Sequence, residues 1–156
     1  MKTAQRFSKG FTLIELLVVI GILAVLLAIV LIAINPARQF AQANDTQRRS
    51  DVNAVLNAVD QAMVDLSGKL PAPLDTAPTG SALPFNSTNV NTGTALCNAL
   101  VPDYMAQLPK DPQNGTWTSC VTFDTGYTIT IATSSGTPRV TVSATPQLAT
   151  SISVTR

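Results

Sequence analysis

The apolar positions of this chain follow three different patterns along its length. From Phe11 to Ile34 nearly every residue is Leu, Ile, Val or Ala, and Glu15 is the only ionisable one. As a helix this run would be about 36 Å long, enough to cross a hydrocarbon core of about 30 Å with some tilt. A buried core helix is the alternative, but the run exceeds the roughly 18 apolar residues that indicate a membrane span. We therefore predict a transmembrane helix over residues 11–34.

The second pattern has apolar residues at spacings of three, four and seven, which predicts an amphipathic helix continuing the first over residues 35–68. Gly68 is a suitable C-terminal cap, and Pro71 and Pro73 prevent further helix. The apolar stripe must bury against the rest of the chain. It consists of Val52, Val55, Leu56, Val59, Met63 and Leu66, and the polar residues beside it are Asp51, Asn53, Asn57, Asp60 and Asp65.

Two residues weaken the long helix. Pro36 removes a backbone donor and clashes with the preceding turn, so we expect a kink or a short unwound stretch there, after which the helix resumes. Gly21 lies within the apolar run. It either permits close packing between helices or marks a point of local melting, and the sequence favours neither.

The third pattern alternates apolar and polar residues over 127–133 and 139–144, which predicts a hairpin linked by residues 134–138. Residues 121–123 and 152–155 are predicted short edge strands. The intervening residues 71–116 are rich in Pro, Gly, Ser, Thr and Asn, so we expect an irregular connection with one helical turn around 95–104. The predicted fold is α+β, with the long N-terminal helix packed on a C-terminal antiparallel sheet.

The charges flanking the apolar run predict its orientation. Lys2, Arg6 and Lys9 precede the run, and Arg38 is the first cation after it. This bias favours an N-terminus in the cytoplasm and a globular part outside the membrane. A cleaved secretory signal has a shorter apolar stretch and a small-residue cleavage site, which residues 35–38 do not supply. An uncleaved signal anchor fits better, but it does not account for Glu15.

Glu15 is the residue that decides between these possibilities. An acidic side chain at the centre of a membrane helix costs about 2.5–3.5 kcal/mol, so it indicates a function. Residues 9–16, KGFTLIEL, resemble the class III signal of type IV pilins and the related pseudopilins of type II secretion. The resemblance is strong over residues 9–34 and fades beyond about residue 70.

The resemblance implies a role for each position of the motif. A leader, residues 1–10, is cut between Gly10 and Phe11 by a prepilin peptidase, and the new N-terminal residue Phe11 is N-methylated. The carboxylate of Glu15 then pairs with the N-terminal amine of a neighbouring copy and sets the register of assembly, since an unpaired buried charge is strongly unfavourable. Residues 11–34 become the filament core, 35–68 the amphipathic continuation and 69–156 the extracytoplasmic globular domain.

The composition argues against catalysis and against nucleic-acid binding. It has no histidine, and its carboxylates are scattered singly, so the commonest general base and metal ligand are missing. Losing Lys2, Arg6 and Lys9 with the leader changes the formal charge from +1 to −2, which favours no nucleic-acid partner. We predict a protein that is no enzyme and needs no cofactor.

Cys97 and Cys120 are the only cysteines. On the extracytoplasmic side a disulfide between them is expected, and two buried free thiols are the alternative. Residues 108–112, LPKDP, resemble a proline-rich segment of major pseudopilins, some of which bind calcium. Only Asp111 and Asp124 are available as carboxylate ligands here, so a rigid turn is the simpler interpretation.

The sequence therefore predicts a prepilin, a membrane-held precursor of a type IV pilus-like filament subunit. The implied partners are further copies of the chain, membrane lipid before assembly, the processing peptidase and methyltransferase, and a membrane platform driven by an assembly ATPase. A pseudopilin of a secretion or DNA-uptake system is one alternative. A signal-anchored binding protein that keeps its leader is another.

Overall fold

The computed structural model describes residues 10–89, 93–134 and 137–156, apart from the side chain of Ser134. The chain divides into two compact units, one reaching to Gln39 and the other comprising Phe40–Arg156. Its elements in chain order are α1 (Leu13–Ile34), α2 (Pro36–Asp65), β1 (Ala82–Asn86), α3 (Ala95–Leu100), β2 (Thr116–Ser119), β3 (Thr122–Ser134), β4 (Thr137–Ala144) and β5 (Ile152–Thr155). This is the α+β, pilin-like arrangement that the sequence predicted.

In the first unit, α1 runs unbroken for 22 residues and none of them is buried. It ends at Asn35, whose backbone is left-handed, with φ 45° and ψ 79°. The residue before a proline is disfavoured in the right-handed helical region, and asparagine tolerates the left-handed one. The backbone N–H of Arg38 donates to the carbonyl of Asn35 at 3.1 Å, so α2 starts directly at Pro36. The expected interruption at Pro36 is thus one residue long.

In the second unit, α2 supplies one side of the core. The predicted stripe residues Val52, Val55, Leu56 and Val59 are fully buried, and Ala58 and Ala62 join them. At the end of the helix the prediction was partly wrong, because Met63 is only partly buried and Leu66 is exposed. Because α2 stops at Asp65 rather than at residue 68, Leu66 lies in the turn that follows the helix.

The end of α2 is closed by two consecutive left-handed residues. Ser67 has φ 58° and Gly68 has φ 87°. The N–H of Gly68 donates to the carbonyl of Met63 at 2.8 Å, which is the long hydrogen bond of a Schellman cap. Gly68 therefore belongs to the cap as predicted, but Ser67 occupies the position that glycine usually takes.

The sheet is five-stranded and antiparallel, with the order β1-β3-β4-β5, and β2 also pairs with β3. Alternate residues of β3 point into the core, from Phe123 through Tyr127 to Ile131. Val140 and Val142 of β4 do the same. These side chains and the buried side of α2 form one hydrophobic cluster, so the helix covers one face of the sheet.

Three details of the strands differ from the prediction. Residues 71–116 contain β1, in which Leu83 and Phe85 alternate around Pro84, and the start of β2. Residues 121–123 are not a separate edge strand, because β3 already begins at Thr122. The predicted link 134–138 is largely strand, since Ser134 pairs with Thr137, while Ser135 and Gly136 lie outside the described residues.

Candidate functional site

The predicted cleavage junction lies in an exposed, non-helical segment directly before α1. Gly10 and Phe11 have no regular secondary structure, and Phe11 is 88% exposed. A Cβ atom added to Gly10 would meet nothing within 4 Å. Among the described residues, nothing in the fold therefore requires glycine at position 10, and both residues of the predicted junction are exposed.

Thr12 and Glu15 form a capping box at the start of α1. The backbone N–H of Glu15 donates to Oγ1 of Thr12 at 3.3 Å. In return, Oε2 of Glu15 accepts the backbone N–H of Thr12 at 3.0 Å and its hydroxyl at 2.8 Å. The carboxylate also lies in the first turn, where the helix dipole favours a negative charge.

The carboxylate of Glu15 thus has a polar partner within the chain, three residues away, which the sequence interpretation did not include. A threonine followed three residues later by a glutamate is a recognised capping signal, and the spacing of Thr12 and Glu15 contains it. Within the described residues Oε1 of Glu15 accepts no hydrogen bond.

The helix that follows is long and apolar enough to cross a membrane, and it is the one such helix among the described residues. All of its side chains are exposed, including Leu13 and Ile32 at its two ends. Gly21 is helical, and a Cβ there would meet nothing within 4 Å. The first unit thus offers an uninterrupted apolar surface, with one carboxylate close to its start.

The second unit contains a group of buried charges that the sequence did not predict. Arg48 of α2 is 2% exposed and binds Asp111 through two hydrogen bonds, from Nε at 2.5 Å and from Nη2 at 3.2 Å. Its Nη1 donates to Asp45 at 2.9 Å, and Nη2 also donates to Gln113 at 3.2 Å. We call Asp45, Arg48, Asp111 and Gln113 the Arg48 cluster.

The two carboxylates of the Arg48 cluster each fix a loop to α2. Asp45 accepts the backbone N–H groups of Gln147, Leu148 and Ala149, which lie between β4 and β5, at 2.8, 2.8 and 3.0 Å. Asp111 accepts those of Gln113 and Asn114 at 2.9 and 3.0 Å. No buried side-chain nitrogen or oxygen in the described part of the chain lacks a partner. The cluster is therefore a structural clamp with all its hydrogen bonds made.

These contacts shift the protonation equilibria of the cluster. Burial raises the pKa of Asp45, but the three backbone donors and Arg48 outweigh it and hold that pKa far below its ordinary value. Burial also raises the pKa of Asp111, and its bonds with Arg48 and the backbone again lower it overall. The bond to Asp111 raises the pKa of Arg48 despite burial. All three groups are charged near neutral pH.

Asp51 was predicted beside the apolar stripe with the other polar residues, but it is only 6% exposed. The hydroxyl of Tyr127 donates to its Oδ2 at 2.8 Å, and Nε2 of Gln47 donates to its Oδ1 at 2.8 Å. Burial and the bond to Asp51 raise the pKa of Tyr127 well above its usual range. Asp51 is buried because the sheet supplies a donor that the helix pattern alone does not reveal.

The structure joins Cys97 and Cys120 in a disulfide, the pairing that was expected, with 5.4 Å between the Cα atoms. Cys97 lies on α3 and is fully buried, and Cys120 follows β2. The bond therefore fixes the irregular segment that carries α3 to the edge of the sheet.

The two carboxylates considered for calcium are both engaged within the protein. Asp111 belongs to the Arg48 cluster, and Oδ1 of Asp124 accepts the N–H of Gly126 at 2.9 Å. Among the residues that the structure describes, no three His, Cys, Asp or Glu side chains lie together as a metal site would need. Residues 108–111 have no regular secondary structure and a turn follows over residues 112–114, while Asp111 joins this segment to Arg48.

Comparison with known proteins bears on the N-terminal part of the chain. Residues 5–31 match the family model of the prokaryotic N-terminal methylation motif, which is the signature of the prepilin-type signal of type IV pilins and pseudopilins. Neither the search of curated proteins nor that of solved structures found a match. The motif, the apolar N-terminal helix and the α+β fold together support a type IV pilin-like or pseudopilin protein with a prepilin-type signal. Proteins with this motif are structural rather than enzymatic.

Proposed function

We propose that this protein is the precursor of a structural subunit in a type IV pilus-like filament. A prepilin peptidase cuts between Gly10 and Phe11, and the amine of Phe11 is methylated. Copies of the chain then assemble through α1, with the sheet-containing unit on the outside. The chain itself needs no cofactor for this function, and an assembly ATPase supplies the work.

The observation that carries the proposal is the position of Glu15, an isolated carboxylate at the start of a wholly exposed apolar helix. In lipid this charge costs about 2.5–3.5 kcal/mol when isolated. The two hydrogen bonds from Thr12 to Oε2 offset part of that cost but bring no positive charge. The methylated amine of Phe11 from a neighbouring copy supplies the charge, and Oε1 is left to accept it.

Cleavage is what makes this pairing specific. It removes Lys2, Arg6 and Lys9 and leaves an amine at the end of α1. A copy added one step out of place would leave both its amine and the carboxylate of its neighbour unpaired, which is strongly unfavourable in lipid. We propose that the leader lies on the cytoplasmic side, that α1 spans the membrane before assembly and that residues 69–156 lie outside.

The proposal is tested first at the junction, by mass spectrometry of the N-terminus of the protein isolated from its membrane. We expect the mature chain to begin with N-methylated Phe11. Gly10→Val should block cleavage, because a side chain at this position would hinder the close approach of the peptidase, whereas a Cβ there meets nothing among the described residues. Gly21→Ala is the matched control, since a Cβ at Gly21 also meets nothing, and it should be cut normally.

A chain that still begins at Met1 would contradict the proposal and support the signal-anchored binding protein. Cleavage of Gly10→Val as efficient as that of the unchanged chain would remove the role assigned to Gly10.

The segment 108–112 favours a second function, that of a pseudopilin in a secretion or DNA-uptake system, because it resembles the proline-rich segment of major pseudopilins. A strain lacking this protein distinguishes the two. Loss of filaments from sheared surface material, seen by electron microscopy, supports the pilus, and a secretion or uptake defect with unchanged surface filaments supports the pseudopilus.

A further inference from the structure

A groove of about 580 Å³ opens on the second unit between α2, the segment around residues 105–110 and strand β2. Its volume lies within the range of about 300–1,000 Å³ that is typical of small-molecule sites. Gly10, Phe11 and Glu15, which are assigned to cleavage and pairing, are not among its lining residues. Three residues of the proline-rich segment 108–112 are: Leu108, Pro109 and Lys110.

One side of the groove is apolar and aromatic. Trp117, the only tryptophan of the chain, lines it and packs against Phe123 with 5.8 Å between the ring centroids. Trp117 is half-buried. Met105 also lines the groove. A ligand with a flat apolar surface would find a rigid aromatic partner there.

Four other lining residues are polar. Gln47, Gln107 and Asp51 contribute two amides and a carboxylate, and Lys110 adds an ammonium group. The carboxylate of Asp51 is held in place by Tyr127 and Gln47, with one bond to each oxygen. A carboxylate can accept about four hydrogen bonds, so Asp51 keeps capacity for ligand donors. Gln107 is exposed and makes no side-chain hydrogen bond within the described residues, which leaves both its amide atoms available.

The charges in the groove balance, because Asp51 and Lys110 carry opposite signs. A second groove, of about 560 Å³ near the end of α2, offers a contrast. It is lined largely by aliphatic side chains such as Leu66, Leu70 and Ile131 and has no aromatic residue. Of these two grooves, the one beside Trp117 combines an aromatic residue with several polar side chains, of which Gln47 and Asp51 are hydrogen-bonded to each other. It therefore fits an uncharged ligand that has one apolar face and many hydroxyls.

We propose that the groove beside Trp117 binds a saccharide. The apolar C–H face of one sugar ring packs on Trp117, and adjacent hydroxyls bond to the amides of Gln47 and Gln107 and to the carboxylate of Asp51. Amide and carboxylate groups suit neighbouring hydroxyls because each presents two polar atoms in one plane. A peptide is the less suitable occupant, because its backbone is best paired by backbone groups, and the polar partners here are side chains.

The single tryptophan makes the test direct, since its fluorescence reports on the groove alone. The full chain is held in micelles of a detergent without a sugar headgroup and titrated with glucose, galactose, mannose and N-acetylglucosamine. We expect at least one of these sugars to cause a saturable change in emission, with a Kd on the order of 1 mM. A blocked tri-alanine peptide, titrated in parallel, should cause none.

Variants then locate the binding. Gln107→Ala should weaken it by about threefold to tenfold, the usual effect of losing one or two hydrogen bonds. Gln61→Ala, an exposed glutamine of the same helix as Gln47 but outside the groove, should leave it unchanged. No saturable response to any of the four sugars would overturn the proposal. An unchanged affinity in Gln107→Ala, or saturable binding of the peptide alone, would overturn it as well.

Discussion

The two units of this chain differ in the burial of their apolar side chains and in the partners of their charged ones. In the first unit every residue of α1 is exposed, and Glu15, the one charge of that helix, bonds among the described residues to the uncharged Thr12. In the second unit the apolar residues of α2 and the sheet form one buried cluster. There the buried charge of Arg48 meets two carboxylates of the same chain.

This difference indicates where each unit obtains its stability. The second unit makes its own core and satisfies its own buried charges, so we expect it to fold without a membrane or a further copy. For α1 we propose that the partners are lipid and then other copies of the chain. We therefore expect that a substitution that destabilises one unit leaves the function of the other unit measurable.

The largest effect is expected from Arg48→Ala. It leaves Asp45 and Asp111 buried without their cation, and breaking a buried ion pair costs about 3–5 kcal/mol. Chemical denaturation followed by circular dichroism should show this loss, while cleavage after Gly10 should continue. Arg49→Ala, at an exposed neighbouring position, should change the unfolding free energy by less than about 0.5 kcal/mol. Equal stability of the two variants would contradict the role of the cluster.

Removal of the disulfide should have the next largest effect. Cys97→Ala combined with Cys120→Ala should lower the unfolding free energy by roughly 3 kcal/mol, because the bond closes a loop with a sequence separation of 23. The midpoint of urea unfolding measures this loss, and the reduced unchanged protein should move in the same direction. An unchanged midpoint in both would show that the bond does not stabilise the second unit.

Acid should weaken the clamp in a defined range. The folded-state pKa of Asp45 lies below its unfolded value of about 3.9, so its contribution is complete above about pH 4 and is lost as the pH falls through the folded pKa. Asp45→Asn should be less stable than the unchanged chain by about 2 kcal/mol near neutral pH. Thermal unfolding at successive pH values should show this difference shrinking below about pH 4. A difference that stays constant into strong acid would refute the assignment.

The smallest effect concerns the end of α2. Ser67 adopts a left-handed conformation that glycine tolerates at no steric cost, so Ser67→Gly should stabilise the second unit by about 0.5–1 kcal/mol. Ser50→Gly, in the exposed middle of the same helix, should destabilise it by a similar amount. The two melting temperatures should therefore move in opposite directions, and a shift of both in the same direction would exclude the capping argument.

The features that the sequence predicted correctly depend on local patterns. The apolar run defined α1, the three-and-four spacing defined the buried side of α2, and alternation identified β5. The capping box could also have been predicted from a local pattern, because Thr12 and Glu15 are three residues apart. Strand β1 was missed because Pro84 interrupts its alternation, although an edge strand is where proline is tolerated.

The Arg48 cluster could not be predicted in this way. Arg48 and Asp111 are 63 residues apart, and their contact depends on how the loops between the strands fold back onto α2. The burial of Asp51 depends similarly on Tyr127, 76 residues away. Long-range polar contacts of this kind leave no periodic signal in a single sequence.

We propose above all that the carboxylate of Glu15 pairs with the N-terminal amine of another copy. The variant Glu15→Ala tests this pairing most directly. The variant is expressed in the native host, the mass of its N-terminus is determined, and filaments in sheared surface material are counted by electron microscopy. We predict a normally cut and methylated Phe11, an intact second unit, and filaments reduced at least about tenfold. Normal processing with a normal number of filaments would contradict the claim.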